Sequence, residues 1–196
     1  MLPSQLRPAL LMTLVLCVIT GFVYPGVVTG LAQALFPRQA NGSLVVVNGR
    51  VVGSALIGQA FTQPYYFRSR PSATGYDAAA SAASNKGPTD STLAAAIAAR
   101  ADAARAREGT AAERLPADML TASASGIDPH VSPANAHLQV ARVARARGGA
   151  DSAAVRALVD RMTEGRQFGV LGEPRVNVLL LNLALDSTFP RPRERP

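Results

Sequence analysis

Between Arg7 and Arg38 the chain carries no charged residue. Pro8 to Pro37 reads PALLMTLVLCVITGFVYPGVVTGLAQALFP, longer than the roughly 20 apolar residues a helix needs to cross a bilayer. A helix over residues 9–31 would run about 34 Å at 1.5 Å per residue, enough to cover the hydrocarbon core with some tilt. Pro25 offers no N–H to the carbonyl of Gly21, so a kink is expected there. A secretory signal peptide is the rival reading, with Arg7 as its charged start and Ala32-Gln33-Ala34 as a small-residue cleavage site. Signal cores run roughly 7–15 residues and this one is about 23, which points to an uncleaved anchor. Residues 1–8 then form a short cytoplasmic N-terminus, and the chain from about residue 38 lies outside the cytoplasm.

Gly26 and Gly30 form a small-xxx-small pair that would let a second helix approach closely. They are candidate partner contacts, although glycine is also simply frequent in membrane helices. One helix encloses no pore. Any transport role must come through partners.

The remainder reads as an α+β body over residues 38–188. Two β-branched runs flank Asn48-Gly49, the strongest short hairpin signal because both residues accept positive φ. Residues 74–90 are rich in Gly, Ala, Ser and Pro and read as loop. Asp90 caps a helix that turns Leu93, Ala94, Ile97 and Ala101 to one side and closes at Gly109. Ser132-Pro133 opens a second helix that stops at Gly148-Gly149, and Asp151 caps a third with Val155, Leu158, Val159 and Met162 inward. VNVLLLNLAL, residues 176–185, alternates like a strand, with a helix capped by Asn177 as the alternative. Residues 189–196 read as a disordered tail.

Charge and chemistry exclude more than they assert. The net charge is +7, from nineteen arginines and one lysine, Lys86, set against 13 acids. The arginines are scattered beside acids rather than interleaved with stacking aromatics, which argues against nucleic acid. Cys17 is the only cysteine and sits in the apolar segment, so neither an internal disulfide nor a CxxC metal site is available. TASASGIDPHVSP, residues 121–133, gathers two serines, an aspartate and a histidine. No G-x-S-x-G elbow accompanies it, and small hydroxyls before Gly126 and Asp128-Pro129 more often build turns. The single lysine lies outside any phosphate-binding Gly-Lys-Ser/Thr, and two histidines without His-Glu-x-x-His make no metal site. No catalytic residue and no cofactor bound by this chain alone is expected.

ANGSL (40–44), GSALIGQ (53–59), YFRSRPSA (66–73), SNKGP (84–88), TASASGIDP (121–129), QVARVARAR (139–147) and VNVLLLNLALD (176–186) together resemble the C subunit of the bacterial Kdp potassium-transporting ATPase. The family usually has a glycine pair where Ala82-Ala83 stand and often a proline where Ala141 stands. The resemblance implies a single-span, non-catalytic accessory subunit in the bacterial inner membrane, with its C-terminal domain periplasmic. Its implied partners are a potassium-channel-like subunit and a P-type ATPase subunit, which use potassium and ATP. It also implies a catalytic chaperone that raises nucleotide affinity, with Gln139 at the family's proposed nucleotide contact. A body outside the cytoplasm cannot touch cytoplasmic ATP, so Gln139 is expected rather as a helix-surface or buried hydrogen-bonding residue, and an effect on nucleotide affinity as an allosteric one transmitted through membrane helices. Tyr66, Phe67, Arg68 and Arg70 are candidate partner contacts, because aromatics and arginine dominate binding hot spots. Ser123, Ser125, Gly126 and Asp128 form the other candidate surface. A periplasmic binding protein not tied to a pump is the alternative function.

Overall fold

The computed structural model describes residues 2–111 and 115–191. They fall into two compact units, residues 1–54 and 55–196.

The first unit is a long apolar helix followed by a hairpin. Helix α1 (Leu2–Val18) passes through a π-helical turn (Ile19–Val23) into α2 (Tyr24–Leu35). The turn lies where Pro25 predicts disruption: Tyr24 N–H reaches back five residues to the carbonyl of Ile19, and the proline starts the new helix. Thr20 Oγ1 donates to the Leu16 carbonyl at 2.7 Å beside it. Residues Ser4–Leu35 are long and apolar enough to span a membrane, and none of that surface is buried within the protein. A short α3 (Pro37–Ala40) leads to strands β1 (Leu44–Val47) and β2 (Arg50–Ser54), paired antiparallel around Asn48-Gly49, both at positive φ.

The second unit is built on helices. Helix α4 (Ser91–Glu108) is capped by Asp90 and ends at left-handed Gly109, as expected. Its inward face is Ala101, Ala104 and Glu108, spaced by three and four residues, while Ala94 faces solvent. A one-turn α5 (Ala117–Leu120) precedes α6 (Pro133–Ala146), whose Ser132 cap accepts from Asn135 N–H. Helix α7 (Ser152–Arg161) is capped by Asp151 and buries Val155, Leu158 and Val159, with Met162 packed at its end. Strand β5 (Arg175–Asn177) lies between β3 (His130–Val131) and β4 (Thr163–Glu164) in a three-stranded antiparallel sheet.

The expected strand over 176–185 is corrected. Only Arg175–Asn177 is extended, and Val178–Thr188 is helix α8, with Asn177 Oδ1 accepting from Leu180 N–H at 3.1 Å. Val178, Leu181, Asn182 and Leu185 are all buried, which is helical spacing. The core joins Val140, Val143, Val155, Val159, Leu181 and Leu185 around Phe67. The expected tail also begins too early: Phe189 packs against that core and Arg191 pairs with Asp186. Residues 192–196 of that expectation lie outside the described residues.

Candidate functional site

Residues 64–70 have no regular structure, so their backbone groups must find partners elsewhere. Two carboxamides supply them. Asn182 of α8 accepts from Phe67 N–H at 2.9 Å and donates to the Phe67 carbonyl at 2.9 Å. Gln139 of α6 does the same for the next residue, accepting from Arg68 N–H at 2.8 Å and donating to its carbonyl at 3.2 Å. Consecutive peptides are thus held from opposite helices.

Gln139 is 1% exposed. Its Nε2 also donates to Asn135 Oδ1 at 2.9 Å, and its Oε1 also accepts from Arg142 Nη2 at 2.7 Å. Two donors and two acceptor positions are therefore all committed to the protein. Arg142 continues the network to the Tyr66 carbonyl and pairs with Glu108 at 2.8 Å, a carboxylate with a fully buried side chain. Burial pushes the Arg142 guanidinium below its ordinary range, with Glu108 opposing that shift.

A second arginine of the same helix anchors the aromatic end. Arg147 donates to the Tyr65 carbonyl, to the Phe189 carbonyl and to Asp186 Oδ1. The Tyr66 hydroxyl donates to the other Asp186 oxygen at 2.8 Å. Burial and this bond to a carboxylate raise Tyr66 to about 12. Burial alone would raise the Asp186 carboxyl, but hydrogen bonds from Arg191, Arg147 and Tyr66 outweigh it and hold it below the usual range. Phe67, an expected partner contact, is instead a fully buried core residue. Tyr66, Arg68 and Arg70 are half-buried.

The serine-rich stretch is a set of turns closed over residues 58–82. Ser123 is buried, and its N–H donates to the Pro71 carbonyl. Ser125 Oγ accepts from Ile127 N–H at 3.2 Å, a local hydroxyl turn. Gly126 has φ +72, and a β-carbon there would sit 2.5 Å from Thr74 Oγ1 and 2.9 Å from the Ala82 carbonyl oxygen. Asp128 Oδ1 accepts from His130 N–H at 2.9 Å, and Oδ2 pairs with Arg70 at 3.1 Å. Burial raises the Asp128 carboxyl, but the His130 and Arg70 contacts together bring it below its ordinary value. His130 Nδ1 lies 3.7 Å from Asp128, and neither Ser123 nor Ser125 hydrogen-bonds to it among the described residues. Ser132 is occupied too, donating to Asp118 Oδ1 at 2.9 Å. The stretch binds its own fold. Gly26 and Gly30 face open space, with nothing within 4 Å of a β-carbon at either position.

One exposed feature was not among the expected sites. Between β4 and β5, Phe168, Val170 and Leu171 stand exposed on a tight turn, Phe168 at 92%. Gln167 and Leu171 bridge across that turn, and ion pairs Arg166–Glu173 and Arg175–Glu164 flank it. An apolar run broken by Gly169 and Gly172 was the available hint. Glu108, Arg142 and Asn182 were missed as well, although Gln139 and Arg142 share a helix face by their three-residue spacing.

An apolar helix long enough to span a membrane and a mixed helix-and-sheet body held by buried arginine pairs define the class of this small protein. Comparison with known proteins makes that class specific. The family model for the K+-transporting ATPase c chain, KdpC, matches residues 6–187. The potassium-transporting ATPase KdpC subunit of Gemmatimonas aurantiaca is 65% identical over 94% of this chain and 93% of its own. That of Sorangium cellulosum is 59% identical, over 93% and 97%. That of Koribacter versatilis is 52% identical, over 98% and 99%. The chain belongs to the KdpC family, and so is an accessory subunit of a K+-transporting ATPase. The free-standing binding protein is set aside.

Proposed function

We propose that this subunit stabilises the assembled pump and raises the nucleotide affinity of the ATP-hydrolysing subunit allosterically, without touching nucleotide. Its partners in this reading are the potassium-channel-like and P-type ATPase subunits. Its body is periplasmic, and its N-terminus lies on the cytoplasmic side of the inner membrane. The observation that carries the reading is the saturation of Gln139, whose carboxamide holds Arg68, Asn135 and Arg142 and has no bond left to offer a ligand. Linkage asks only that subunit and nucleotide bias one conformational equilibrium, with couplings of about 1–3 kcal/mol typical.

Two surfaces suit the partners: the open Gly26/Gly30 face of the helix and the apolar β4–β5 turn. The test is photolabelling of the assembled pump with 8-azido-ATP, with the ATP KM measured at graded occupancy of this subunit. The label should fall on the ATPase subunit alone while KM drops as occupancy rises. Saturable labelling of this chain, suppressed by ATP, would sink the reading. Alkaline phosphatase fused after Pro196 should be active, and an inactive fusion would overturn the periplasmic placement of the body.

A further inference from the structure

A cavity of about 250 Å³ opens between α4, α6 and the segment that the two carboxamides hold. Arg68, Arg100 and Arg107 line it, with Tyr76, and among the described residues no carboxylate does. Among the described residues, Glu108 is the acid that touches this group, and it is already committed: one oxygen accepts from Arg107 at 2.7 Å and the other from Arg142 at 2.8 Å. Positive charge at the cavity therefore exceeds its internal compensation.

Arg68 carries the clearest sign of a missing partner. Its backbone is fixed by Gln139, and one terminal nitrogen donates to the Thr62 carbonyl. Its Nε is shielded from solvent yet has no hydrogen-bond partner among the described residues. A buried donor without an acceptor is uncommon and calls for a water or an ion. Burial first, and then the like charge of Arg107, push this guanidinium below its ordinary range, a cost that an anion would relieve.

We propose that this cavity is a binding site for a small oxyanion of the phosphate or carboxylate class, held by Arg68, Arg100 and Arg107. Guanidinium forks match the oxygens of such groups in spacing and charge. The volume fits a small group and falls short of the roughly 300–1,000 Å³ of pockets that take drug-sized ligands. The inference stands apart from the proposed role in the pump, because it concerns binding by this chain alone.

The test uses the full chain in mild detergent, without partners, and equilibrium dialysis against radiolabelled inorganic phosphate at fixed ionic strength. One saturable site per chain is expected. Arg100→Gln and Arg107→Gln should each weaken it at least about tenfold, the scale of one charge-assisted hydrogen bond. Arg156→Gln, on the exposed side of α7, should leave it unchanged. Circular dichroism checks that each variant is folded. Should Arg107→Gln unfold through Glu108, Arg100→Gln and Arg107→Lys still decide, since lysine keeps the charge but loses the fork. ATP should compete no better than phosphate. Absence of saturable binding at millimolar phosphate, equal binding by the folded arginine variants, or far tighter binding of ATP would each overturn the proposal.

Discussion

The body of this subunit inverts the usual rule of burial in two places. Around residues 64–70 it buries Gln139, Asn182, Arg142 and Glu108, and at the β4–β5 turn it exposes Phe168, Val170 and Leu171. The first region is polar inside because an irregular segment has no other source of hydrogen bonds. Its paired groups are therefore essential to one another, whatever they add to net stability. The second region gains nothing for the isolated fold by showing aromatic and aliphatic surface to water. Folding explains the first. Association is the use proposed for the second.

The sharpest way to break this contrast is to remove one partner of a buried pair. Arg142→Ala strips the Glu108 carboxylate of one arginine and the Tyr66 carbonyl of its donor. Such deletions cost about 3–5 kcal/mol, a large share of the stability of a domain this size. Urea unfolding of the detergent-solubilised chain should show a midpoint shift of that scale. A loss under about 1 kcal/mol would mean that water replaces the pair and the network is not structural.

Gly126→Val comes next. It forces a β-branched residue to φ +72 and drives its β-carbon against Thr74 and the Ala82 carbonyl. Roughly 2 kcal/mol is expected by the same urea measurement, against about 1 for Ser125→Ala. If the valine variant melts with the wild type, the turn has another route and Gly126 is not its pivot.

The polar region should also respond to acid. The Asp186 carboxyl is held below its ordinary value by Arg191, Arg147 and Tyr66. Its contribution is therefore complete above the unfolded carboxylate value of about 3.9 and is lost as pH falls through the lower folded value. Asp186→Asn should flatten the acid limb of a Tm-against-pH curve below about pH 4. An unchanged limb would show that Asp186 is not what titrates there.

What was legible in the sequence was local. Asp90, Ser132 and Asp151 declare helix starts through their own side chains, and Asn48-Gly49 declares its turn. The run at 176–185 misled because Leu179, Leu181, Leu183 and Leu185 alternate while Val178, Leu181, Asn182 and Leu185 repeat as a helix. Tertiary burial and the Asn177 cap decided between them. The carboxamide clamps join residues 71 and 115 positions apart. No local pattern announces such a pair.

The smallest expected effect on folding is the one that tests the exposed region. Phe168 holds φ +52, a conformation that bulky residues avoid at a cost of order 1–3 kcal/mol. Strain at a residue 92% exposed does nothing for the core of the isolated chain. Asparagine tolerates that backbone and replaces the ring with a polar group. Phe168→Asn should leave the urea midpoint of the isolated chain within about 0.5 kcal/mol of wild type, or raise it. Recovery of the pump by pull-down through another subunit should nonetheless fall, and fall further with Leu171→Asn added. Stability kept and assembly lost would place a partner on this turn. Stability kept and assembly kept would return these residues to ordinary surface, and leave the long apolar helix, with Gly26 and Gly30, to carry association.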